Sequence, residues 1–144
     1  MTSLLVALIT TLGGIGIAGA TYWFTKKRER DAELRKEKLE HYKAFVIALS
    51  GTISGESTPA GQGAFACACN NLNLIAPQIV IERLRAFQEE IKTTNPNKSQ
   101  RKHDELMSQL FLSMRRDLGI DDDESTFAVG LWASGNKTSP RTGR

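Results

Sequence analysis

Between Thr2 and Thr25 the chain carries no charged residue, and Lys26-Lys27-Arg28-Glu29-Arg30 follows at once. A helix of that length rises about 34 Å at 1.5 Å per residue, close to the thickness of a bilayer's hydrocarbon core. The run therefore predicts a transmembrane anchor over residues 1–25. Two other readings compete with it. Ala18-Gly19-Ala20 has the small-residue spacing of a signal-peptidase site, but no basic residue precedes the apolar run, and the basic cluster sits where a stop-transfer signal would. A fully buried core helix would need a larger enclosing domain than the remaining residues supply.

Tyr22 and Trp23 at the end of the run suit a headgroup layer, and Lys26, Lys27, Arg28 and Arg30 suit the cytoplasmic side of it. These residues predict a single-pass protein of the bacterial inner membrane, N-terminus out, with the anionic inner leaflet as partner of the basic cluster. Within the run, Thr10, Gly14 and Ala18 recur every four residues, and Gly16 pairs likewise with Ala20. Small residues at that spacing let helices approach closely, so this face is a candidate for self-association.

The rest of the 144 residues suffices for one small domain and a tail. Nineteen Lys and Arg stand against sixteen Asp and Glu, and much of the excess adjoins the apolar run. The resulting pI near 9.0 gives no basic-aromatic surface of the kind nucleic acid requires, so no nucleic-acid partner is expected. The two cysteines suggest no disulfide framework.

From Ala20 to Ser50 there is no glycine or proline, which predicts one helix continuing out of the anchor. Leu39, Tyr42, Val46, Leu49 and Ile53 line one side of it at 3,4,3,4 spacing. Turn-forming residues from Ser50 to Gly63 predict a loop. A second helix is predicted from about Ala64, with Phe65, Ala68, Cys69, Leu72, Ile75 and Ala76 inward. Pro77 opens a third, whose core positions are Val80, Leu84, Phe87 and Ile91. Asn95-Pro96-Asn97 breaks the pattern. Ser99 then serves as N-cap of a fourth helix, with Leu106, Met107, Leu110, Phe111, Met114 and Leu118 inward and Gly119 closing it. The prediction is an all-α protein: a transmembrane helix continuing into a cytoplasmic antiparallel four-helix bundle over 26–119, then a mostly flexible tail over 120–144. Phe127, Val129, Leu131 and Trp132 make part of that tail apolar enough to dock on the bundle.

No catalytic constellation is visible, and no enzymatic activity or cofactor is expected. Cys67 and Cys69 are two apart on a helix, so their thiols diverge, and no second pair or nearby histidine completes a metal site. His41 and His103 stand singly on polar helices. Asp121 to Glu124 lacks the ligand alternation and glycine of a calcium loop and reads as a solvated acidic turn. Gly13-Gly14-Ile15-Gly16 lacks the strand and the Lys-Ser/Thr of a phosphate loop. Asn70, Asn71 and Asn73 interrupt an apolar helix and would need hydrogen-bond partners in a core. Arg115 and Arg116 close the last helix, where cations complement the dipole and can also pair with an acidic group on a partner or with a phosphate-bearing ligand.

The basic exit, Tyr42-x-x-Phe45, the run Asn70-Asn71-Leu72-Asn73-Leu74-Ile75-Ala76-Pro77 and the ending Met114-Arg115-Arg116-Asp117-Leu118-Gly119 resemble small bacterial membrane-anchored proteins described only as hypothetical. The resemblance implies bacterial origin and this architecture, and no mechanism. The expected function is a membrane-anchored helical interaction module that binds itself or a membrane or cytosolic protein partner. Its candidate sites are Thr10, Gly14 and Ala18 on one face and the Arg115-Arg116 corner. The alternative is a small membrane-acting effector of toxin, pore-forming or exclusion type.

Overall fold

The computed structural model describes the backbone of residues 2–53, 58–124 and 126–131, and the side chains of these apart from 2–13, 15 and 53. Four helices follow in order: α1 over Thr2–Ile53, α2 over Pro59–Ile75, α3 over Gln78–Ile91 and α4 over Gln100–Asp117. No strand occurs among the described residues. The chain divides into two compact units, Met1–Glu37 and Lys38–Arg144.

The expected transmembrane element is corrected here. Among the described residues no helix is long and apolar enough to cross a membrane. This finding overturns the anchor over 1–25, the single-pass membrane assignment and the inner-membrane location with an outward N-terminus. With it goes the headgroup role given to Tyr22, Trp23, Lys26, Lys27, Arg28 and Arg30. In the first unit these residues are simply exposed helix surface: Trp23 and Phe24 meet edge to face at 5.2 Å, Lys27 lies over the Trp23 ring, and Lys26 pairs with Glu29.

The second unit is a helical bundle with one core. Tyr42, Phe45 and Leu49 from α1, Ala68, Cys69 and Leu72 from α2, Val80, Leu84 and Phe87 from α3, and Met107, Leu110 and Met114 from α4 are all buried and in one cluster. On α1, α3 and α4 they recur three and four residues apart, and on α2 Leu72 follows Ala68 by four and Cys69 by three, so each helix turns one stripe inward. On α3 three of the four expected core positions, Val80, Leu84 and Phe87, are buried, and the fourth, Ile91, packs partly against them. On α1 the stripe is rotated: Phe45 is fully buried and Leu39 is 37 % exposed. The side chain of Ile53 lies outside the described residues.

Caps set the joints. The loop before α2 is shorter than expected, because Thr58 takes the N-cap and accepts the Gly61 N–H at 3.1 Å while Pro59 fills the first turn. Proline suits that position because its missing N–H has no helical partner there. Pro77 is the N-cap of α3 rather than its first residue, and its carbonyl accepts from Val80 and Ile81. Gly119, with φ of 79°, lets α4 end in a Schellman turn: Gly119 N–H donates to the Arg116 carbonyl and Ile120 N–H to that of Arg115.

Ser99 caps α4 by position but makes no side-chain cap bond. Its N–H instead donates to Oε1 of Glu90 at 2.8 Å. The buried Glu90 carboxylate also receives Lys102 Nζ at 3.1 Å, and Asn95 Nδ2 lies 3.4 Å away. The Ser99 N–H, then Lys102, hold its pKa below the ordinary glutamate value against the opposing effect of desolvation. One side chain thus ties the end of α3 to the start of α4.

Candidate functional site

The last turn of α4 and the chain that follows it carry a set of linked polar contacts. Asp117 is the fixed point. Its Oδ2 accepts the Tyr42 hydroxyl at 2.7 Å and its Oδ1 accepts Lys38 Nζ at 2.8 Å. Lys38 and Tyr42 are one helical turn apart on α1, so both reach the same carboxylate. All three side chains are largely shielded. Burial, then the hydrogen bond and the negative charge of Asp117, push the Tyr42 phenol far above its usual range. The group is therefore a permanent donor at neutral pH and not a base or nucleophile.

The adjacent arginines differ sharply. Arg115 donates from Nε and Nη2 to the two oxygens of Asp122 at 2.5 and 2.9 Å, and its guanidinium lies over Phe127 at 5.7 Å. That two-point pairing raises the basicity of Arg115 and holds Asp122 below the usual carboxylate range. Arg116 offers Nη1 and Nη2 to one oxygen of Glu124, both at 3.3 Å. Asp121 to Glu124 is thus no uniformly solvated turn, since Asp122 is an internal partner. The chain beyond it continues along α4, where the Val129 N–H donates to Ser108 Oγ at 3.0 Å and Val129 and Leu131 pack on the core. Trp132 lies outside the described residues.

An apolar groove runs between α1 and α4. Leu39, Val46 and Ile47 form one wall, Phe111, Met114 and Leu118 the other, and Tyr42, Lys43 and Arg115 border it; the groove holds about 350 Å³. Ile47 is 73 % exposed. A second cleft of about 450 Å³ lies on the other flank of α4, against the start of α3, and includes Ile79, Arg83, Leu112 and Arg116.

Gly14 and Ala18 are exposed on α1 in the first unit, and nothing lies within 4 Å of a Cβ built at Gly14; the side chain of Thr10 lies outside the described residues. Cys67 is exposed and Cys69 buried. Burial pushes the Cys69 thiol up despite a hydrogen bond from Gln88. No group of three His, Cys, Asp or Glu that could hold a metal occurs among the described residues. Asn70, Asn71 and Asn73 lie on the exposed side of α2 and do not enter the core. His103 packs its ring 5.2 Å from that of Phe87 and sits at the boundary.

The chain matches no protein-family model, no curated protein and no solved structure. The site's own chemistry is then the ground for a functional reading.

Proposed function

We propose that this chain is a non-enzymatic helical module that pairs with a second copy of itself through the α1/α4 groove. The observation that carries the reading is Ile47, a large aliphatic side chain 73 % exposed beside a groove lined by Leu39, Val46, Phe111, Met114 and Leu118. Knob and groove share one surface, which is the requirement for a two-fold, self-complementary interface. The charges at its edge also suit a second copy. Glu40 and Lys43 are both exposed and of opposite sign, at 3.0 Å from one another, and Arg115 is already neutralised by Asp122. A border carrying both signs can face its own copy without net repulsion, whereas a border of one sign could not.

The test is the mass of the purified full-length chain across a concentration series by sedimentation equilibrium, for the native sequence, Ile47→Glu and Gly14→Leu. A concentration-dependent dimer that Ile47→Glu reduces to monomer, with helix content and melting unchanged, supports the reading. A monomer at all concentrations overturns it. A dimer lost in Gly14→Leu and kept in Ile47→Glu also overturns it and moves the interface to the small-residue face of α1. Capture of a stoichiometric, different protein on the groove by a monomeric chain would make the module an adaptor instead.

A further inference from the structure

We infer that the cleft between the start of α3 and the end of α4 is a binding site for a carboxylate carried on an aliphatic body. The cleft lies on the flank of α4 away from the groove above, and the inference does not depend on self-association. Its polar and apolar halves are distinct. Pro77, Ile79 and Leu112 supply the apolar part, with Ile79 49 % exposed. Arg83 and Arg116 supply two guanidiniums, one from each helix. Arg83 is half-buried and held by Gln109, whose Oε1 accepts Nη1 at 2.7 Å. That contact engages one of the five N–H groups of a guanidinium and fixes its plane.

The carboxylates already present explain what the site takes. Asp117 borders the cleft, but both of its oxygens are occupied, by Lys38 and Tyr42. Its charge is compensated and does not repel an incoming anion. Glu124 is the group that rests on Arg116, and it does so poorly: one oxygen is shared between two nitrogens at 3.3 Å each, with Glu124 66 % exposed at its side chain. The neighbouring Arg115 shows what a matched carboxylate does, with two oxygens on two nitrogens at 2.5 and 2.9 Å. A guanidinium prefers that fork at about 2.7 to 2.9 Å. Glu124 therefore acts as a loose internal occupant that a better-placed carboxylate displaces. An aliphatic tail on the ligand would cover Ile79, which otherwise faces water. The cleft's size falls within the range of small-molecule sites, about 300 to 1,000 Å³.

The probe is sodium hexanoate, titrated into the uniformly ¹⁵N-labelled full-length chain, with hexanamide and inorganic phosphate as parallel arms. Expected are saturable amide shifts confined to residues 77–83 and 109–117, absent with hexanamide and weaker by tenfold or more with phosphate. Arg116→Gln should weaken hexanoate by about tenfold, and Arg83→Gln by a similar factor. Glu124→Gln should strengthen it several-fold, and this gain is the arm that survives if Arg83→Gln loosens the fold. No saturable shift at millimolar hexanoate overturns the inference. So do equal shifts with hexanamide, which leave only an apolar surface, and equal affinity for phosphate, which leaves only a general anion contact.

Discussion

Asp117 and Tyr42 lie 75 residues apart in the chain and meet at 2.7 Å, carboxylate oxygen to hydroxyl, with Lys38 on the other oxygen. The pair ties the end of α4 to the buried stripe of α1. Removing one partner of a shielded hydrogen bond to a charged group costs about 1 to 3 kcal/mol. Tyr42→Phe should lose about that much stability in urea unfolding while keeping its ring in the core. Asp117→Asn should lose at least as much, because Lys38 is left without its counter-charge. The double variant should lose less than the sum of the two, since each single change already removes the shared bond. Additive losses would show that the two side chains contribute independently.

The two cysteines differ by burial and should differ in reaction. Cys67 is exposed, whereas Cys69 is 1 % exposed and its thiol is made less acidic by burial. Thiolate is the reactive form, so both access and ionisation slow Cys69. Titration of the native protein with a disulfide reagent should release one equivalent rapidly and the second only on unfolding. Cys67→Ser should abolish the rapid phase. Two rapid equivalents would mean that the α2 stripe opens on the timescale of the reagent.

Glu90 gives the bundle a direction of pH dependence. Its pKa in the folded state is held below the ordinary glutamate value of 4.5 by the Ser99 N–H and Lys102. Below that value the unfolded chain binds a proton that the folded one resists, so stability falls as pH drops from about 4.5 through the lower folded value. Above that window the contribution is fully present. Asp122, lowered by Arg115 from an ordinary 3.8, adds a second loss at still lower pH. The urea midpoint followed from pH 6 to pH 3 should decline, and Glu90→Gln should flatten the upper part of that decline. An unchanged slope in Glu90→Gln would assign the acid sensitivity to other carboxylates.

How much of this was legible in the sequence differs from helix to helix. Val80, Leu84 and Phe87 recur at 4,3 spacing on α3, and all three are fully buried. On α1 the apolar residues are dense enough to draw two stripes, Leu39-Tyr42-Val46-Leu49 or Tyr42-Phe45-Leu49. Only packing against α2 and α4 selects the second, and that rotation creates the groove by leaving Leu39 and Ile47 outside. Gly61 and Gly63 suggested a loop, but the Thr58 cap and Pro59 start the helix ahead of them, because a satisfied first turn offsets the modest cost of each glycine. Arg115 and Arg116 read as a single corner. Their partners, Asp122 and Glu124, lie in a run of four consecutive acidic residues that gives no sign of which one turns back. The Asp117 contact had no local signal at all beyond a Lys and a Tyr one turn apart on a distant helix. The charge-free run from Thr2 to Thr25 has the length of a span when counted in sequence, yet among the described residues no helix is long and apolar enough to cross a membrane.

Leu84 and Leu74 provide the sharpest contrast of burial at constant chemistry. Leu84 is 0 % exposed within the stripe of α3, and Leu74 is 85 % exposed near the end of α2. Truncating a core leucine removes its transfer free energy and leaves a cavity, together about 2 to 5 kcal/mol. Truncating a leucine already in water removes almost no buried area and should stay within about 0.5 kcal/mol. Leu84→Ala and Leu74→Ala should therefore separate by several kcal/mol in the same unfolding experiment. If Leu74→Ala instead proves strongly destabilising, its side chain is covered in solution, and the end of α2 would join the groove as a contact between copies. Repeating the Leu74→Ala measurement at several protein concentrations distinguishes these cases, because only coverage by a second chain makes the loss depend on concentration.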